Sequence, residues 1–202
     1  MRPFAATLFA GLVLLAGCRK VAKEDSYWAL RGKAIPGAPH DVDPIAVLPL
    51  ARAQVKKHLD VKEPELLSIR MVGVAASGRM DLEGCDTSIS YRFGVRSDKE
   101  RMAAAATVGG GGMYRPVYEA TSNIKNGGVA IDAPRCRVET VRAAAVAAGA
   151  ADDACTLQLE YTRVADPEIG WFHGTGWRTF GPAGPIIIDD ATCAFVPPSA
   201  PP

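Results

Sequence analysis

The sequence predicts an α+β fold in which two helices pack on antiparallel sheet. Three observations predict it. Apolar residues recur every three or four positions over Leu48–Leu59 and again over Val138–Ala148, the period of one helix face. After each helical stretch the period drops to two, over Leu67–Met71 and Ile89–Val95 in the first case and Cys155–Tyr161 in the second, which is the pattern of half-buried strands. Turn-forming residues separate the alternating runs, at Ser77-Gly78, Asn126-Gly127 and Gly181-Pro182-Ala183-Gly184-Pro185, so neighbouring strands are expected to run antiparallel.

The chain opens on a leader. Arg2 supplies a positive start, Phe4–Leu15 is an apolar stretch too short to span a bilayer, which takes roughly 20 apolar residues, and Leu15-Ala16-Gly17-Cys18 follows at once. That tetrapeptide resembles the lipobox of bacterial lipoproteins. The resemblance implies that residues 1–17 are removed as a signal peptide and that Cys18 carries diacylglyceryl and fatty acyl (palmitate) chains as the new N-terminus. In that family an aspartate after the cysteine favours retention in the inner membrane. Arg19 stands there, which implies the cell outer membrane, facing the periplasm. Several acyl chains, at about 0.8 kcal/mol per buried methylene, would make a durable anchor, and the mature chain needs no transmembrane helix.

Residues 18–43 carry mixed charge and then Ile35-Pro36-Gly37-Ala38-Pro39, without a sustained period, and read as a lipidated N-terminus and linker in which Tyr27, Trp28 and Leu30 could dock on the body or form a short helix. The body, residues 44–196, reads as a single domain with candidate halves 44–98 and 114–196, because helix-then-strands occurs in both. A common layering rule explains that order without an ancient duplication, which stays open as the alternative. The helix-on-sheet layering weakly resembles cystatin-like and PepSY-like exported domains, without a diagnostic motif of either. Residues 197–202 are expected to be a disordered tail.

Within the body, a helix is expected from Pro49 to Asp60, with Pro49 in the first turn, Leu48, Ala51, Val55 and Leu59 on the apolar face, Lys56, Lys57 and Asp60 outside it, and His58 a boundary residue rather than a ligand. Strands follow after Pro64. Residues 97–113 break the pattern with four alanines and Gly109–Gly112. The glycines lack the lysine and hydroxyl residue of a phosphate-binding loop, so a flexible connector is expected. A hairpin is read at Val117–Ile124 and Val129–Ile131 around Asn126-Gly127. A second helix runs from Arg137 to Ala148 and stops at Gly149, and a strand follows in which Cys155, Leu157, Leu159 and Tyr161 face the core. After Asp166-Pro167-Glu168 the stretch Trp171–Phe180 returns, and Ile186–Ile188 begin a last strand towards Cys193.

Composition narrows the function classes. The chain has 202 residues, 48% hydrophobic, with a formal net charge of +1, so neither a nucleic-acid surface nor a disordered chain is indicated. Beyond Cys18 there are four cysteines, Cys85, Cys136, Cys155 and Cys193, an even number suited to two disulfides in an oxidising periplasm. A helix of about a dozen residues, roughly 18 Å long, separates Cys136 from Cys155 and disfavours that pair. Cys136 with Cys193 or with Cys85 is preferred. No C-x-x-C is present for zinc, and no metal or other cofactor is indicated.

No catalytic set is legible either. His40, His58 and His173 are well separated, with no H-E-x-x-H and no G-x-S-x-G, and Asp152-Asp153 and Asp189-Asp190 read as turn and capping pairs. The aromatic stretch is the remaining feature. Trp171 and Trp177 share one parity, Phe172 and Phe180 the other, so one set is core and the other a candidate contact surface, with Trp171 and Trp177 the candidates for binding. The reading is a membrane-anchored envelope module that binds or assembles with a protein, peptide or glycan without catalysis. Its rival is an envelope hydrolase assembled from distant loops, with Asp189, Asp190 and His173 together.

Overall fold

The computed structural model describes residues 41–59, 63–81, 87–96, 101–109, 113–119, 129–164 and 172–198. The leader and lipobox with Cys18, Tyr27, Trp28, Leu30, Cys85, Asn126-Gly127, Asp166-Pro167-Glu168 and Trp171 lie outside these residues, as do the last four of the tail.

Helix α1 spans Pro44–Leu59 and starts earlier than its sequence pattern indicates. Asp43 is the reason. Its Oδ1 accepts the N–H groups of Ile45 (2.8 Å) and Ala46 (3.3 Å), so Pro44, not Pro49, takes the first helical position, where a missing N–H costs nothing. Pro49 therefore sits inside the helix. Leu48, Ala51 and Val55 form its buried face as expected. The last residues assigned to the linker belong to the fold, because Asp41–Val42 form strand β1 and Val42 is buried.

Strand β2, Glu65–Val72, carries a bulge between Leu66 and Ser68, which lets Leu66 and Leu67 both be buried before Ile69 and Met71 resume the alternation. The turn after it closes with Ala75 N donating to Arg79 O (2.9 Å), and Gly78 holds φ +75°. A Cβ on Gly78 would lie 2.4 Å from the Glu139 nitrogen, so glycine meets both the backbone angle and the close approach there. Strand β3, Met80–Asp81, then pairs with β1 as a two-stranded ladder.

Strand β4, Ser88–Arg96, buries Ile89, Tyr91 and Phe93. The expected connector over 97–113 is instead largely strand. β5 runs Arg101–Gly109, paired to β4 from Arg96↔Arg101 to Ser88↔Gly109, and β6 runs Met113–Glu119, paired to β5. Four consecutive alanines show no alternation because a methyl group fits either face, so a period of two is invisible in sequence there. Val129–Ile131 is not the expected return strand. It is irregular chain, in which Ile131 N donates to Leu66 O at 2.8 Å.

Helix α2 spans Val138–Ala147 between Arg137 and Ala148, as the pattern indicates, with Val138, Val141 and Ala145 buried and Gly149 at φ +104° just beyond it. Strands β7 (Gln158–Val164), β8 (Gly174–Gly181), β9 (Gly184–Asp189) and β10 (Ala194–Val196) follow as a meander. Pro182-Ala183 make the two-residue turn of the β8–β9 hairpin, which pairs Gly181 with Gly184.

All strands except β1 and β3 join one antiparallel sheet in the order β10-β9-β8-β7-β2-β4-β5-β6. Both helices share one core with it, in which Leu48, Val55, Val138 and Val141 pack with Ile69, Tyr91, Leu159 and Trp177, so both lie on the same face. The helix-then-strands order is thus spatial as well as sequential. From the central β2–β7 pair, each half lays its four strands outward in chain order. No feature of this sheet is specific to the cystatin-like layering.

Candidate functional site

Two places on this scaffold gather polar side chains. The first lies at the end of β9. Period two from Ile186 through Ile188 puts Asp190 on the helix side, and Asp190 is 5% exposed. Its carboxylate accepts the main-chain N–H groups of Arg135 (3.1 Å) and Cys136 (3.2 Å) and the indole Nε1–H of Trp177 (3.3 Å). The Tyr161 hydroxyl lies 3.2 Å from Asp190 Oδ2 and 3.2 Å from the Asp132 carbonyl, and its ring is 4.9 Å from that of Trp177. Burial, followed by the Asp190 charge and hydrogen bond, pushes the Tyr161 phenol well above its usual range.

Asp189, next in the chain, faces the other way and closes a turn. Its Oδ1 accepts Ala191 N, its Oδ2 accepts the Thr192 hydroxyl, and its carbonyl accepts Cys193 N at 2.8 Å. Cys193 takes a positive φ of 57° in that turn and is bonded to Cys136, with Cα atoms 5.5 Å apart. Of the two pairings preferred for Cys136, the one with Cys193 is therefore present and the one with Cys85 is not. A cleft of about 300 Å³ adjoins the cluster, lined by Asp132, Arg135, Tyr161, Thr175, Asp189 and Asp190 among others. Because the Asp190 oxygens already receive all these donors, the carboxylate is an anchor for the 132–136 segment rather than a base facing the cleft. His173 is exposed and does not line this cleft, so Asp189, Asp190 and His173 are not assembled there. Among the described residues no group of three histidine, cysteine or acidic side chains could hold a metal ion.

The second place is the sheet face opposite the helices. Cross-strand partners give the row Ser90, Arg70, Glu160, Arg178, Ile187, Val196 over six strands, with Glu160 between two arginines. Arg70 Nη2 donates to Gln158 (3.0 Å), and the Arg178 guanidinium lies 4.8 Å from the centre of the Phe180 ring. Phe180 is 60% exposed. The aromatic assignment is thereby corrected: Trp177 is fully buried in the core and cannot be a contact surface, whereas the exposed ring is Phe180. Phe172 packs on Val164 and Ile187, over Gly174 and Gly176, whose missing side chains leave room for it. Sequence parity separated Trp177 from Phe172 and Phe180 but could not say which face the helices cover, and Trp171 lies outside the described residues.

Elsewhere the polar pairs are structural. Asp153 caps a turn, its carboxylate accepting Cys155 N (2.8 Å) and the Thr156 hydroxyl (2.9 Å), and the Cys155 N–H holds its carboxyl below the usual range. Cys155 accordingly sits in that turn, half-buried and disulfide-bonded to a partner outside the described residues, not on a strand facing the core. Asp152 instead accepts the buried Arg142, 2.6 Å away, whose Nε also donates to Val74 O (2.9 Å). A cleft of about 320 Å³ at the start of α2 is lined by Arg79, Arg135 and Arg137, but Arg79 is paired with Asp41 and Arg137 with Glu139.

No family model matches the chain, and neither a curated protein nor a solved structure matches it.

Proposed function

We propose that the chain is a lipoprotein of the cell envelope, held through Cys18 to the outer membrane on its periplasmic side, whose folded domain is a non-catalytic binding or assembly module. The observation that carries the docking half of this reading is the one-sided layering: both helices sit on one face of the sheet, and the other presents Arg70, Arg92, Gln158 and Phe180 to solvent. A largely polar sheet face with an arginine-stacked ring fits contact with a protein, peptide or glycan better than it fits catalysis. The anchor half rests on Leu15-Ala16-Gly17-Cys18 and stands separately.

Each half has its own test. Palmitate labelling of the whole chain in a bacterial host is expected to disappear in Cys18→Ala, and label that persists would remove the lipoprotein reading. For docking, photo-crosslinking residues are placed in living cells at Arg92, Gln158 and Phe180 on the open face and at Ala143 and Ala147 on the exposed side of α2. Adducts are expected from the first set alone. Equal yields from both sets, or none from the open face, would sink the assignment.

A further inference from the structure

The edges of the sheet tell a different story from its face. A sheet strand with an unpaired side is a template for another strand, and proline, which has no N–H to give, is tolerated only where one side stays open. Proline occurs within two strands of this sheet. Pro116 lies in the middle of β6, the outermost strand at one end, in register with Ala106 of β5. Pro185 lies in β9, in the stretch 184–186 that the three-residue β10 leaves uncovered, since β10 pairs only with Ile187, Ile188 and Asp189. Pro197-Pro198 then follow β10 directly. Strands β2, β4, β5, β7 and β8, flanked on both sides, contain none.

From this placement we infer that these two edges, which no other described strand pairs, are pairing surfaces for a second copy of this chain, kept shut by Pro116 and Pro185. An antiparallel sheet ending in ordinary residues offers its edge as a template to a second copy. A single proline in the middle of a short edge removes a donor and forbids a continuous ladder. The inference does not depend on the open face having a partner.

The test restores the donor. Pro116→Thr, Pro185→Thr and the double variant of the full chain, purified in detergent, are compared with wild type by sedimentation velocity, and Pro116→Lys returns the N–H while placing a charge on the edge. The threonine variants are expected to shift from one chain to two or more as concentration rises, with unchanged far-ultraviolet spectra and newly protected amides at 113–119 or 184–186. Wild type and Pro116→Lys are expected to remain single chains. Threonine variants that stay single, or that associate with no protection gained at those residues, would overturn the inference.

Discussion

On β7, Leu159 and Tyr161 are buried beneath the helices while Gln158, Glu160 and Thr162 point the other way, and the same division runs through β2 with Ile69 and Met71 against Ser68 and Arg70. One face is a continuous apolar layer pinned at its margin by Asp190. The other is a polar row with a small apolar island of Val164, Ile187 and Phe172. Alternate residues of the same strands thus stand in separate environments, and under the proposal above they would do separate jobs, stability on one side and contact on the other. Substitutions on the two faces should separate those jobs experimentally.

The largest effect is expected at Trp177. Trp177→Ala removes the biggest fully buried side chain together with an indole donor to Asp190, and should cost about 3–5 kcal/mol in denaturant unfolding. Trp177→Phe, which keeps the ring packing and loses only the N–H, should cost clearly less. Equal losses would mean that the hydrogen bond, not the volume, carries the site.

Next comes the bridge that holds the Asp190 turn against α2. Replacing Cys136 and Cys193 together by serine should lower stability by about 2–4 kcal/mol. Peptide mapping without reductant should recover Cys136 with Cys193. It should also recover Cys155 with Cys85, the cysteine left once Cys18 is assigned to lipid, although Cys85 lies outside the described residues.

A smaller, pH-dependent effect belongs to Tyr161. Its folded pKa is raised, so the stability it contributes is fully present below the ordinary tyrosine value of about 10 and is lost as pH rises above that value, where the unfolded chain ionises first. Unfolding measured across the alkaline range should therefore show a falling limb. Tyr161→Phe should flatten it while costing about 1 kcal/mol at neutral pH. The smallest effect is expected on the open face: Arg70→Gln and Arg178→Gln should each change stability by no more than about 0.5 kcal/mol while reducing crosslinks from Gln158. A large stability loss there would make the face structural and weaken the contrast between the two sides.

Much of this division was legible in the sequence. Periods of 3.6 and 2 located both helices and strands β2, β4 and β7, turn residues set off β8 and β9, and of the two pairings preferred for Cys136 the one with Cys193 is present. Three features escaped for physical reasons. The alanine run of β5 has no polar partner to reveal its alternation. Asp43 competes silently with Pro49 as the signal for a helix start, because a capping oxygen outweighs the more conspicuous ring. Asp190 looked like one half of a turn pair, although extending the Ile186, Ile188 alternation by one step places it inward. In the aromatic stretch the exposed side could not be read, since parity sorts large rings into two sets without saying which set the helices will cover.

The central β2–β7 pair has a temporal consequence. Most other neighbours in the sheet follow one another along the chain and can zip up as local hairpins, whereas Arg70 meets Gln158 across 88 residues. Closing so long a loop carries an entropic cost that no nearby contact offsets beforehand, so the two half-sheets can form early and their union is the slow event. A chain delivered from its N-terminus would have α1 and β2 on hand well before β7 arrives. Until then β2 offers an unpaired, largely apolar margin without a proline to guard it, and that interval is when the protein is most in need of a chaperone.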